Sequence, residues 1–568
     1  MQSTPTSVVF TNKARCRDCY RCLRACPVKA IRMKDGQAYV VEDRCIACGT
    51  CVRECPQGAK TIRVDVEKAQ ALLKTNAPVA ASVAPSFAAA FTPAQQKRLP
   101  SALRRLGFAF IAETAVGAYH VAQRTAELAQ TKTGPLICTA CPAVVNLVRR
   151  YMPELTGALA EVVSPMVAHA RGLKARLAPG AAVVFIGPCA AKKLEAQQVA
   201  NAGVDCVLTF EELKAWLQRE QIDLLGLEES GFDETPGPDA QFFPVSGGLA
   251  KTAQLATDLL DEEMVSVHGP LDVMQVLQTV AKGSARMLVD PLLCPQGCIN
   301  GPAIGCDTTI FQRRGDVLKY ARSRPRTDHL PPADNLDLRT RFTPQPVTPD
   351  VKVTEEKIRE VLVRTGKSSI EDQLNCGACG YDSCREKAIA VICGMAEEEM
   401  CMPTMRRLAE QRGDKIIESS PNGIVMLNEQ LEILSMNPAF RRMFLCTDAL
   451  FGKRIHHLMD PEPFEQLVAG KARLVRELVR HDNYGLICRE IYYRLDQEKQ
   501  YVGLFTDITD SQNNSKKYHD LKAGSIAQAQ QLLENQMNLA QTITLQLGES
   551  TAQCEELARR LMELAEEK

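Results

Sequence analysis

Cysteine is the residue type with the clearest chemical potential in this chain. Of its 23 cysteines, eight form two copies of one pattern near the start, C-x2-C-x2-C-x3-C followed by proline. In this spacing three thiolates bind one iron–sulfur cluster and the fourth crosses to a second cluster. The pattern therefore predicts two [4Fe-4S] clusters, each held by one of these sets: Cys16, Cys19, Cys22 and Cys55; Cys45, Cys48, Cys51 and Cys26.

The segment that carries both copies, about residues 8 to 65, resembles the bacterial two-cluster ferredoxins. That resemblance implies electron transfer. A pair of zinc knuckles is the alternative, although zinc sites rarely combine this triple spacing with a following proline.

Length and charge limit what the rest of the chain can be. At 568 residues the chain is too long for one hydrophobic core, so several domains are expected. Its 68 basic and 68 acidic side chains cancel, which argues against nucleic acid or an anionic membrane as partner. We see neither an apolar run long enough to span a bilayer nor an export signal, and expect a cytoplasmic protein.

Beyond residue 76, short β-type runs alternate with helical patterns, which predicts an α/β architecture. Single cysteines follow the ends of these runs, where α/β proteins usually bind ligands. A helix N-terminus there also favours the thiolate that metals require. The predicted strands are Phe108 to Ile111, Pro135 to Ile137, Ala182 to Ile186 and Arg286 to Val289.

Four of these cysteines come from three loops that are far apart in sequence, and any one alone could be a buried structural thiol. Together, and in this order, the loops resemble the three signatures of [FeFe] hydrogenases over about residues 78 to 345. The loops read Thr-Ala-Cys-Pro-Ala around Cys141, Gly-Pro-Cys-Ala-Ala-Lys-Lys-Leu-Glu from Gly187, and Leu-Leu-Cys-Pro-Gln-Gly-Cys-Ile-Asn-Gly-Pro from Leu292.

The resemblance implies an H-cluster, a [4Fe-4S] cube joined to a two-iron unit that carries carbonyl, cyanide and a dithiolate bridge. The cube would be bound by Cys141, Cys189, Cys294 and Cys298, with the Cys298 sulfur bridging to the two-iron unit. Lys192 matches the family's cyanide-binding lysine, and an ammonium donor suits a buried anionic ligand. The motif Ala84-Pro85-Ser86 matches the one that lines the other cyanide, and Ser164-Pro165-Met166 precedes the pocket.

Ala140 is the main departure from the family pattern. It occupies the position of a second cysteine that relays protons in efficient family members, and a methyl group can neither donate nor accept a proton. Cys138 is then a neighbour and not a ligand. Gly187 and Leu292 replace methionines, Asp290 replaces a glutamate, and the acidic relay expected between Thr114 and Glu127 is not evident. These departures predict a slow hydrogenase, unless a water molecule or a different path carries the protons.

A third cysteine group follows a proline-rich linker predicted from Pro325 to Pro349. It resembles the small [4Fe-4S] domain of corrinoid and reductase proteins, and zinc is the alternative metal. Cys401 is favoured over Cys393 as the fourth ligand because Cys393 falls in a predicted helical run from Arg385 to Glu399. The predicted ligands are Cys376, Cys379, Cys384 and Cys401.

Residues 414 to 510 resemble a PAS domain, with alternating strands, a turn at Asn437-Pro438-Ala439-Phe440 and a terminal Asp-Ile-Thr. Such domains sense ligands or relay signals by dimerising. Haem bound by His456 and His457 is an alternative to the simpler reading that both are surface residues. The remaining cysteines are read as packing thiols: Cys138, Cys206, Cys306, Cys393, Cys446, Cys488 and Cys554.

The last fifty or so residues follow a seven-residue rhythm, which predicts a helix that pairs as a coiled coil. An amphipathic helix packed on the chain's own PAS domain is the alternative. The rhythm runs through Ile526, Leu533, Ala540, Leu547, Cys554 and Leu561, with Ala529, Ile543, Leu557 and Leu564 partly filling the second seam position.

The sequence thus predicts a multidomain α/β and α+β protein of five segments. These are a two-[4Fe-4S] ferredoxin-like domain (1–75), an [FeFe]-hydrogenase core (76–350), a small [4Fe-4S] domain (351–408), a PAS domain (409–510) and a dimerisation helix (511–568). We expect three accessory clusters, an H-cluster, H2 and protons as substrates, an electron carrier such as ferredoxin, a homodimer, and a separate signalling partner. The predicted function is a sensory hydrogenase. The alternatives are an ordinary catalytic hydrogenase regulated by its PAS domain, and a non-catalytic iron–sulfur scaffold or assembly protein.

Overall fold

The protein, in a computed structural model, comprises two compact units, Met1–Met405 and Arg406–Lys568. The structure describes residues 7–198, 203–255, 264–283, 287–324, 336–348, 351–495 and 499–566, with backbone alone at 410–413 and 563–566. About half of the predicted linker, at 325–335 and 349, and the first residue of the predicted strand, Arg286, lie outside the described residues. The five-segment division stays a prediction.

The N-terminal segment is built from short elements around its cysteines. Strand β1 (Val9–Thr11) is followed by helix α1 (Arg21–Ala25), the hairpin β2 (Ile31–Lys34) and β3 (Gln37–Val40), helix α2 (Thr50–Arg53) and strand β4 (Lys60–Ile62). β1 pairs antiparallel with β4, so the two ends of the segment meet. The buried ammonium of Lys60 donates to the carbonyl of Ala38 at 3.0 Å, which ties β4 to the hairpin. Helix α3 (Val66–Leu73) then leads into the next domain.

The first sheet of that domain has four parallel strands in the order β6-β5-β8-β9. Its central strands are buried on both faces, as expected for a parallel sheet covered by helices. The strands are β5 (Val79–Val83), β6 (Phe110–Glu113), β8 (Ala182–Gly187) and β9 (Cys206–Thr209). The helices along this part of the chain are α4 (Phe87–Ala90), α5 (Pro93–Gln96), α6 (Leu99–Arg105), α7 (Ala115–Thr131), α8 (Pro142–Tyr151), α9 (Pro165–Arg176), α10 (Ala191–Gln198) and α11 (Phe210–Arg219).

A second, three-stranded parallel sheet has the order β10-β11-β7. It joins β7 (Leu136–Ile137) to β10 (Met264–His268) and β11 (Leu288–Leu292), so it unites segments more than a hundred residues apart. The helices that accompany it are α12 (Gly248–Thr252), α13 (Pro270–Ala281) and α14 (Ile310–Ser323). The α/β architecture expected from the sequence is confirmed as a mixed α/β fold.

One predicted strand is displaced. The sequence placed it at Phe108 to Ile111, whereas β6 runs over Phe110–Glu113. The amide of Phe108 instead donates to the carbonyl of Leu103 at 3.2 Å and closes the end of α6. Gly107, with φ of 105°, allows the chain to reverse there, and the apolar ring of Phe108 packs near Trp216 and not in the sheet.

The small cysteine-rich segment contains α15 (Glu355–Arg364), α16 (Cys384–Ile392) and the start of α17 (Met402–Ser419). The predicted helical run from Arg385 to Glu399 is therefore too long. α16 ends because Gly394 adopts a left-handed φ of 64° just beyond Cys393, which is a common helix termination. Cys393 consequently lies at the end of a helix and not inside one.

In the second unit, five antiparallel strands form a sheet in the order β13-β12-β16-β15-β14. Phe440, Phe444, Phe464 and Phe505 fill its core. The elements are β12 (Gly423–Leu427), β13 (Ile433–Met436), α18 (Pro438–Met443), α19 (Glu462–Val468), β14 (Leu474–His481), β15 (Leu486–Leu495) and β16 (Gln500–Asp507).

The predicted turn at Asn437 is the start of α18. The Asn437 side-chain oxygen accepts from the amide of Phe440 at 2.9 Å and from that of Ile424 at 2.8 Å. The asparagine therefore caps the helix and fixes it to β12.

The final helix, α20, runs from Thr509 to Glu566, and its described side chains are exposed apart from that of Thr509. The seven-residue rhythm thus lies on a helix, while its pairing stays a prediction. Among the described residues, no helix combines the length and apolar character required to span a bilayer.

Candidate active site

A cavity of about 90 Å³ lies where strands of both parallel sheets end. Its walls follow directly from the carboxyl ends of these strands, which is where α/β folds bind ligands. The lining includes Ala84, Pro85 and Ser86 after β5, Thr114 after β6, Pro188 and Cys189 after β8, Ala140 and Cys141 after β7, and Leu292, Leu293 and Cys294 at the end of β11. The three loops singled out from the sequence therefore meet in one place.

The four predicted cube ligands all line this cavity. Burial raises the pKa of the Cys294 thiol well above its usual value, and three neighbouring thiols raise it further, those of Cys189, Cys298 and Cys141. Burial likewise raises the pKa of Cys189 to about 11. Neighbouring thiols whose ionisation is opposed, such as Cys189 and Cys294, are poor thiolates unless a cation holds them, so this donor set fits a metal cluster.

Glycine makes the Cys298 loop possible. Gly297 has a φ of 92°, and an added Cβ would lie 2.4 Å from the carbonyl oxygen of Pro244. No larger residue fits there, because the backbone amide of Cys298 must donate to that same carbonyl at 2.8 Å. The loop is thereby pinned to the segment at residues 243–245 that closes one side of the cavity.

Two polar side chains that line the cavity are those of Ser86 and Lys192. The buried hydroxyl of Ser86 has no hydrogen-bond partner among the described residues. Lys192 Nζ, also in the cavity wall, donates to Glu195 at 2.8 Å and to the Ala140 carbonyl at 3.4 Å. A buried donor without an acceptor costs stability, and the Lys192 ammonium has a third hydrogen to donate, so Ser86 and Lys192 suit a ligand with anionic acceptor atoms.

Ala140 contributes to the cavity wall, as expected. Cys138 lies behind the wall, and the described residues that line the cavity do not include it. Its amide donates to the carbonyl of Val289 at 2.9 Å within the second sheet. Burial, followed by the charge of Asp290, raises the pKa of the Cys138 thiol well above its usual value. Cys138 is thus placed as a neighbour and not as part of the cluster-binding set.

The structure gives a physical reason for Gly187. A Cβ at this position would lie 2.7 Å from Cε1 of Phe185, and the Phe185 ring itself lines the cavity. An aromatic ring therefore occupies space next to the position where the family has a methionine. Leu292 supplies a second apolar wall. Asp290 is buried behind Leu292, and burial raises the pKa of its carboxyl to about 6.

The electrostatic interactions among the N-terminal thiols follow the two crossed sets predicted from their spacing, and the assignment of each set to a cluster stays a prediction. Burial raises the pKa of Cys22, and the charge of Lys60 lowers it. The thiols of Cys16, Cys19 and Cys55 have the next largest effects and raise it. Burial raises the pKa of Cys51 well above its usual value, and the thiols of Cys48, Cys26 and Cys45 raise it further. Backbone amides also donate to the sulfurs, from Ala30 to Cys26 and from Ala59 to Cys55 at 3.3 and 3.2 Å. Each set therefore has the surroundings expected of cluster ligands.

The second of these sets adjoins the cavity. Cys48 lines it, and the thiol of Cys141 is close enough to raise the pKa of Cys48. The Arg53 guanidinium donates to the carbonyl of Asn300 at 3.4 Å, and Gly49 packs on Pro302. The N-terminal segment is thus docked directly on the loop that carries Cys298.

The small cysteine-rich segment packs against the N-terminal segment. Arg24 donates to the carbonyl of Ala378 at 3.2 Å, and the amide of Met33 donates to the carbonyl of Met395 at 3.0 Å. An added Cβ on Gly380 would lie 2.8 Å from Leu23. A third cluster here would thus be a neighbour of the N-terminal clusters, which the sequence alone did not indicate.

The four cysteines of this segment are only partly linked by their electrostatics. Burial raises the pKa of Cys379, and the thiols of Cys401 and Cys376 also raise it. Burial also raises the pKa of Cys401, but hydrogen bonds from Thr404 and Lys367 bring it below its usual value. These hydrogen bonds favour the thiolate form of Cys401. Elsewhere in the segment, the amide of Cys384 donates to the Asn375 side chain at 2.8 Å.

In the PAS-like unit His456 and His457 are exposed, with ring centroids 4.1 Å apart, as the simpler reading of both as surface residues expected. A different group lies inside, since ligand-type atoms of His481, Cys488 and Glu490 all fall within 4.8 Å of one another. No spacing signal marks this trio, because its members lie on two strands that come together only in the folded sheet.

Comparisons with known proteins agree with this arrangement. Four family models match: "Iron only hydrogenase large subunit, C-terminal domain" at 77–302, "4Fe-4S dicluster domain" at 8–56, "Putative Fe-S cluster" at 372–403 and "PAS domain" at 414–477.

Among curated proteins, the NADP-reducing hydrogenase subunit HndD of Solidesulfovibrio fructosivorans is 25% identical over 280 residues, covering 39% of this chain and 48% of HndD. The cytosolic Fe-S cluster assembly factor NAR1 of Eremothecium gossypii is 32% identical over 249 residues, covering 32% of this chain and 55% of NAR1. This chain therefore spans about half the length of these relatives.

Solved structures are similar at low identity. An [FeFe]-hydrogenase studied for oxygen inactivation is 19% identical, covering 50% of this chain and all of that one, with a TM-score of 0.40. An apo variant of HydA1 from Chlamydomonas reinhardtii is 18% identical, covering 47% and 92%, with a TM-score of 0.38. The PAS domain of an HTR-like protein from Haloarcula marismortui is 20% identical, covering 18% and 99%, with a TM-score of 0.16. From its matched domains, the chain is a PAS-containing, [FeFe]-hydrogenase-like iron–sulfur protein.

Proposed function

We propose that this protein is a sensory [FeFe] hydrogenase that oxidises H2 and reduces protons slowly, and that signals H2 or redox state through its PAS and helical region. The observation that carries the proposal is Ala140, whose methyl group lies in the wall of a cavity that holds four candidate cluster ligands. An alanine there cannot pass a proton on, so turnover is limited while H2 binding is retained.

In this proposal the H-cluster supplies the H2 chemistry, and the chain's residues hold and enclose it. Cys141, Cys189 and Cys294 would bind the cube, and Cys298 would bind it and bridge to the two-iron unit. Ser86 and Lys192 would donate to its anionic ligands, which would satisfy the Ser86 hydroxyl that is otherwise unpaired. Pro85, Phe185 and Leu292 would exclude water from the remaining wall.

Electrons would travel through three accessory [4Fe-4S] clusters. The close approach of Cys48 to Cys141 supports a route from the N-terminal clusters into the cavity. The contacts of Arg24 and Met33 with the small segment support placing the third cluster at the outer end of this route. An electron-carrier protein such as ferredoxin would exchange electrons there, and a change in cluster charge would reach the PAS domain through α17, which begins directly after Cys401.

The signal would pass to a separate partner protein from a homodimer. Support comes from α20, where apolar side chains on the seven-residue rhythm are exposed, including Leu547 at 62%. Leu545 is as exposed, at 69%, but lies off that rhythm. We expect Leu547→Glu to shift the chain toward monomer in sedimentation experiments, and Leu545→Glu to leave the association unchanged, because only the first would place a charge in the seam. Equal effects of both changes would contradict pairing through this seam.

A non-catalytic iron–sulfur scaffold is the second candidate, favoured by the similarity to the assembly factor NAR1. An ordinary catalytic hydrogenase regulated by its PAS domain is the third. The scaffold would bind a cube without a two-iron unit, and it would leave the Ser86 hydroxyl on the cavity wall without an acceptor.

The infrared spectrum of the anaerobically matured full chain tests these candidates, before and after H2 is added. Bands of iron-bound carbonyl and cyanide that shift under H2 would support both hydrogenase readings, and their absence in cube-loaded protein would favour the scaffold.

The rate of H2 turnover then distinguishes the sensory hydrogenase from the ordinary catalytic hydrogenase. We expect Ala140→Cys to raise H2 turnover about 100-fold, because it adds a proton donor at the cavity. Ala140→Val, which adds bulk without a proton, should give no increase, and a fast wild-type enzyme would overturn the sensory proposal.

A further inference from the structure

A continuous series of hydrogen-bonded side chains leads away from the cavity. Thr114 lines the cavity, and its hydroxyl lies 2.7 Å from that of Ser82. Ser82 Oγ lies 2.8 Å from Nδ1 of His169, and His169 Nε2 lies 3.3 Å from Glu234 Oε2. Four side chains therefore connect the cavity with Glu234 through contacts within hydrogen-bonding distance.

Separate elements hold these groups in line. Ser82 lies on β5, Thr114 follows β6, and His169 lies on α9. Gly117 on α7 allows the approach of α9, because an added Cβ would lie 2.6 Å from the backbone nitrogen of His169. The fold thus brings the imidazole close to the strand ends at a point where any larger residue would separate the two helices.

The first three side chains of the series are almost fully buried, and the last one is partly exposed. Ser82 is 0% exposed, His169 is 1% exposed and Thr114 is 3% exposed. The Glu234 side chain is 16% exposed and pairs with Arg176 at the surface end. Only the last member therefore has substantial access to solvent, as a proton exit requires.

The protonation states suit an outward hop. Burial lowers the pKa of His169 despite its bond to Glu234, so the imidazole is neutral near pH 7. Burial raises the pKa of Glu234, but His169 and Arg176 together bring it below its usual value. A neutral imidazole that donates from Nε2 to the Glu234 carboxylate leaves Nδ1 free to accept from Ser82.

We propose that Thr114, Ser82, His169 and Glu234 form a proton relay between the cavity and solvent, used in place of the relay that Ala140 cannot support. This inference rests on the proposed hydrogenase function and names the path of its protons. Oxidation of H2 releases two electrons to the clusters and two protons, each of which must leave the cavity.

Each hop conserves atoms and charge. A proton from the cavity bonds to Thr114 Oγ1, whose own hydroxyl proton passes to Ser82 Oγ. The Ser82 proton passes to Nδ1 of His169, and the Nε2 proton of His169 passes to the Glu234 carboxylate. One proton thus moves from cavity to surface without any redox change, and rotation of the hydroxyls with a tautomer change of the imidazole restores the starting state.

The relay also accounts for the proposed turnover of H2, which is slow but not absent. Hydroxyl groups are weak acids and weak bases, so each hop through Thr114 and Ser82 is less favourable than a hop through a thiol. Proton transfer therefore continues through this path at a reduced rate.

Paired variants of the full, cluster-loaded chain test the relay. Thr114→Val keeps the side-chain shape and removes the hydroxyl, while Thr114→Ser restores it. His169→Gln removes the titratable ring, and His120→Gln is the matched control, since His120 is a buried histidine on α7 whose pKa responds to His169 and Glu234 but which is not a member of the series. We expect H2 turnover to fall about 10-fold or more in Thr114→Val and His169→Gln, with KM for H2 unchanged. Turnover should stay near wild type in His120→Gln, and Thr114→Ser should recover turnover relative to Thr114→Val.

Two readouts do not depend on turnover. Infrared bands of iron-bound carbonyl should be present in every variant, while their shift after a pH jump should be slowed about 10-fold in Thr114→Val and His169→Gln. In protein with cubes but no two-iron unit, nitrogen NMR of labelled histidine should show His169 as the Nε2–H tautomer. Normal bands with unchanged turnover and unchanged pH-jump rates would overturn the relay, as would the Nδ1–H tautomer. Absence of the bands from the wild type itself would instead overturn the proposed hydrogenase function.

Discussion

The N-terminal cluster segment and the cavity bring cysteines together in opposite ways. In the N-terminal segment eight cysteines lie within 40 residues, and the chain bends around them through residues in left-handed conformations that are not glycine: Asp18, Tyr20, Lys29 and Ala47. Each such residue costs about 1 kcal/mol. In the cavity, four cysteines come from the ends of strands whose central residues are fully buried. We therefore expect the first arrangement to need its metal in order to fold, whereas the second is held by the two sheets.

Removal of iron should separate the two regions most strongly. Without clusters, we expect amide hydrogen exchange in residues 8–65 to accelerate by about 100-fold or more, because the strained loops lose the bonds that hold them. Strands β5 and β8 should keep their protection. Hydrogen exchange with mass spectrometry on chelated and cluster-loaded full chain measures both regions at once. Equal loss of protection in β5 and β8 would contradict the comparison.

Lys193 tests the junction between the two regions. Its buried ammonium lies 2.8 Å from Asp65, which precedes α3, and 2.9 Å from Glu212 on α11. Lys193→Met removes the cation that pairs with the buried Glu212 carboxylate and leaves Asp65 with Arg63, at 2.9 Å, so we expect it to destabilise the first unit by about 3–5 kcal/mol. Lys174→Met is the control, because Lys174 pairs with Asp205 at the surface and the change should cost at most about 1 kcal/mol. Denaturant unfolding of the cluster-loaded variants gives both values, and similar losses would show that the buried network is unimportant.

Asp290 tests the sheet-built region by pH. Burial raises its folded-state pKa to about 6, above the value in an unfolded chain, so the folded protein holds this proton more tightly. The stabilising effect of that proton is present at low pH and is lost as pH rises to about 6. Asp290→Asn should therefore raise stability by about 2 kcal/mol at pH 7 and have little effect near pH 4.

The pH dependence of the thermal midpoint measures this difference. Ser266→Ala is a useful companion, because Ser266 Oγ is the side-chain contact of Asp290 at 3.5 Å. A difference between Asp290→Asn and wild type that does not change between pH 4 and pH 7 would show that the carboxyl does not titrate in this range.

The smallest expected effect concerns a single left-handed residue. Lys29 has a φ of 48°, so Lys29→Gly should relieve strain and stabilise the N-terminal segment by about 0.5–1 kcal/mol. Its contact with Asp382 at 3.6 Å is exposed and should matter little. Lys34→Gly on strand β2 is the control and should destabilise by a similar amount, because a strand residue loses conformational freedom without relief of strain. Cluster retention in increasing urea reports both, and a loss of stability in Lys29→Gly would contradict strain in this loop.

The same contrast explains what could be predicted from the sequence. Cluster spacing is local, so the crossed sets that contain Cys22 and Cys51 could be predicted from the order of residues alone, and their assignment to clusters stays a prediction. The cavity was predictable because its loops carry recognisable residues around Cys141, Cys189 and Cys294. Helix ends were less predictable. Gly394 stops α16 early, and the side chain of Asn437 turns an expected bend into a helix cap.

Contacts that depend on long-range packing could not be predicted. The Phe185 ring beside Gly187, the series from Ser82 to His169, and the PAS-domain trio around Glu490 all join residues that no short pattern connects. Their geometry is fixed by strand order and helix approach, which the one-dimensional pattern leaves open. The contact of the small segment with the N-terminal segment is a further case.

Gly49 limits how freely this protein can exchange parts with its relatives. With a φ of 74°, it lies so close to the loop after Cys298 that an added Cβ would be 2.4 Å from the ring of Pro302. A transplanted electron-delivery module with any larger residue at this point would dock farther away, and electron tunnelling weakens steeply with distance. Module shuffling would therefore preserve both the glycine and the proline, or replace them as a pair.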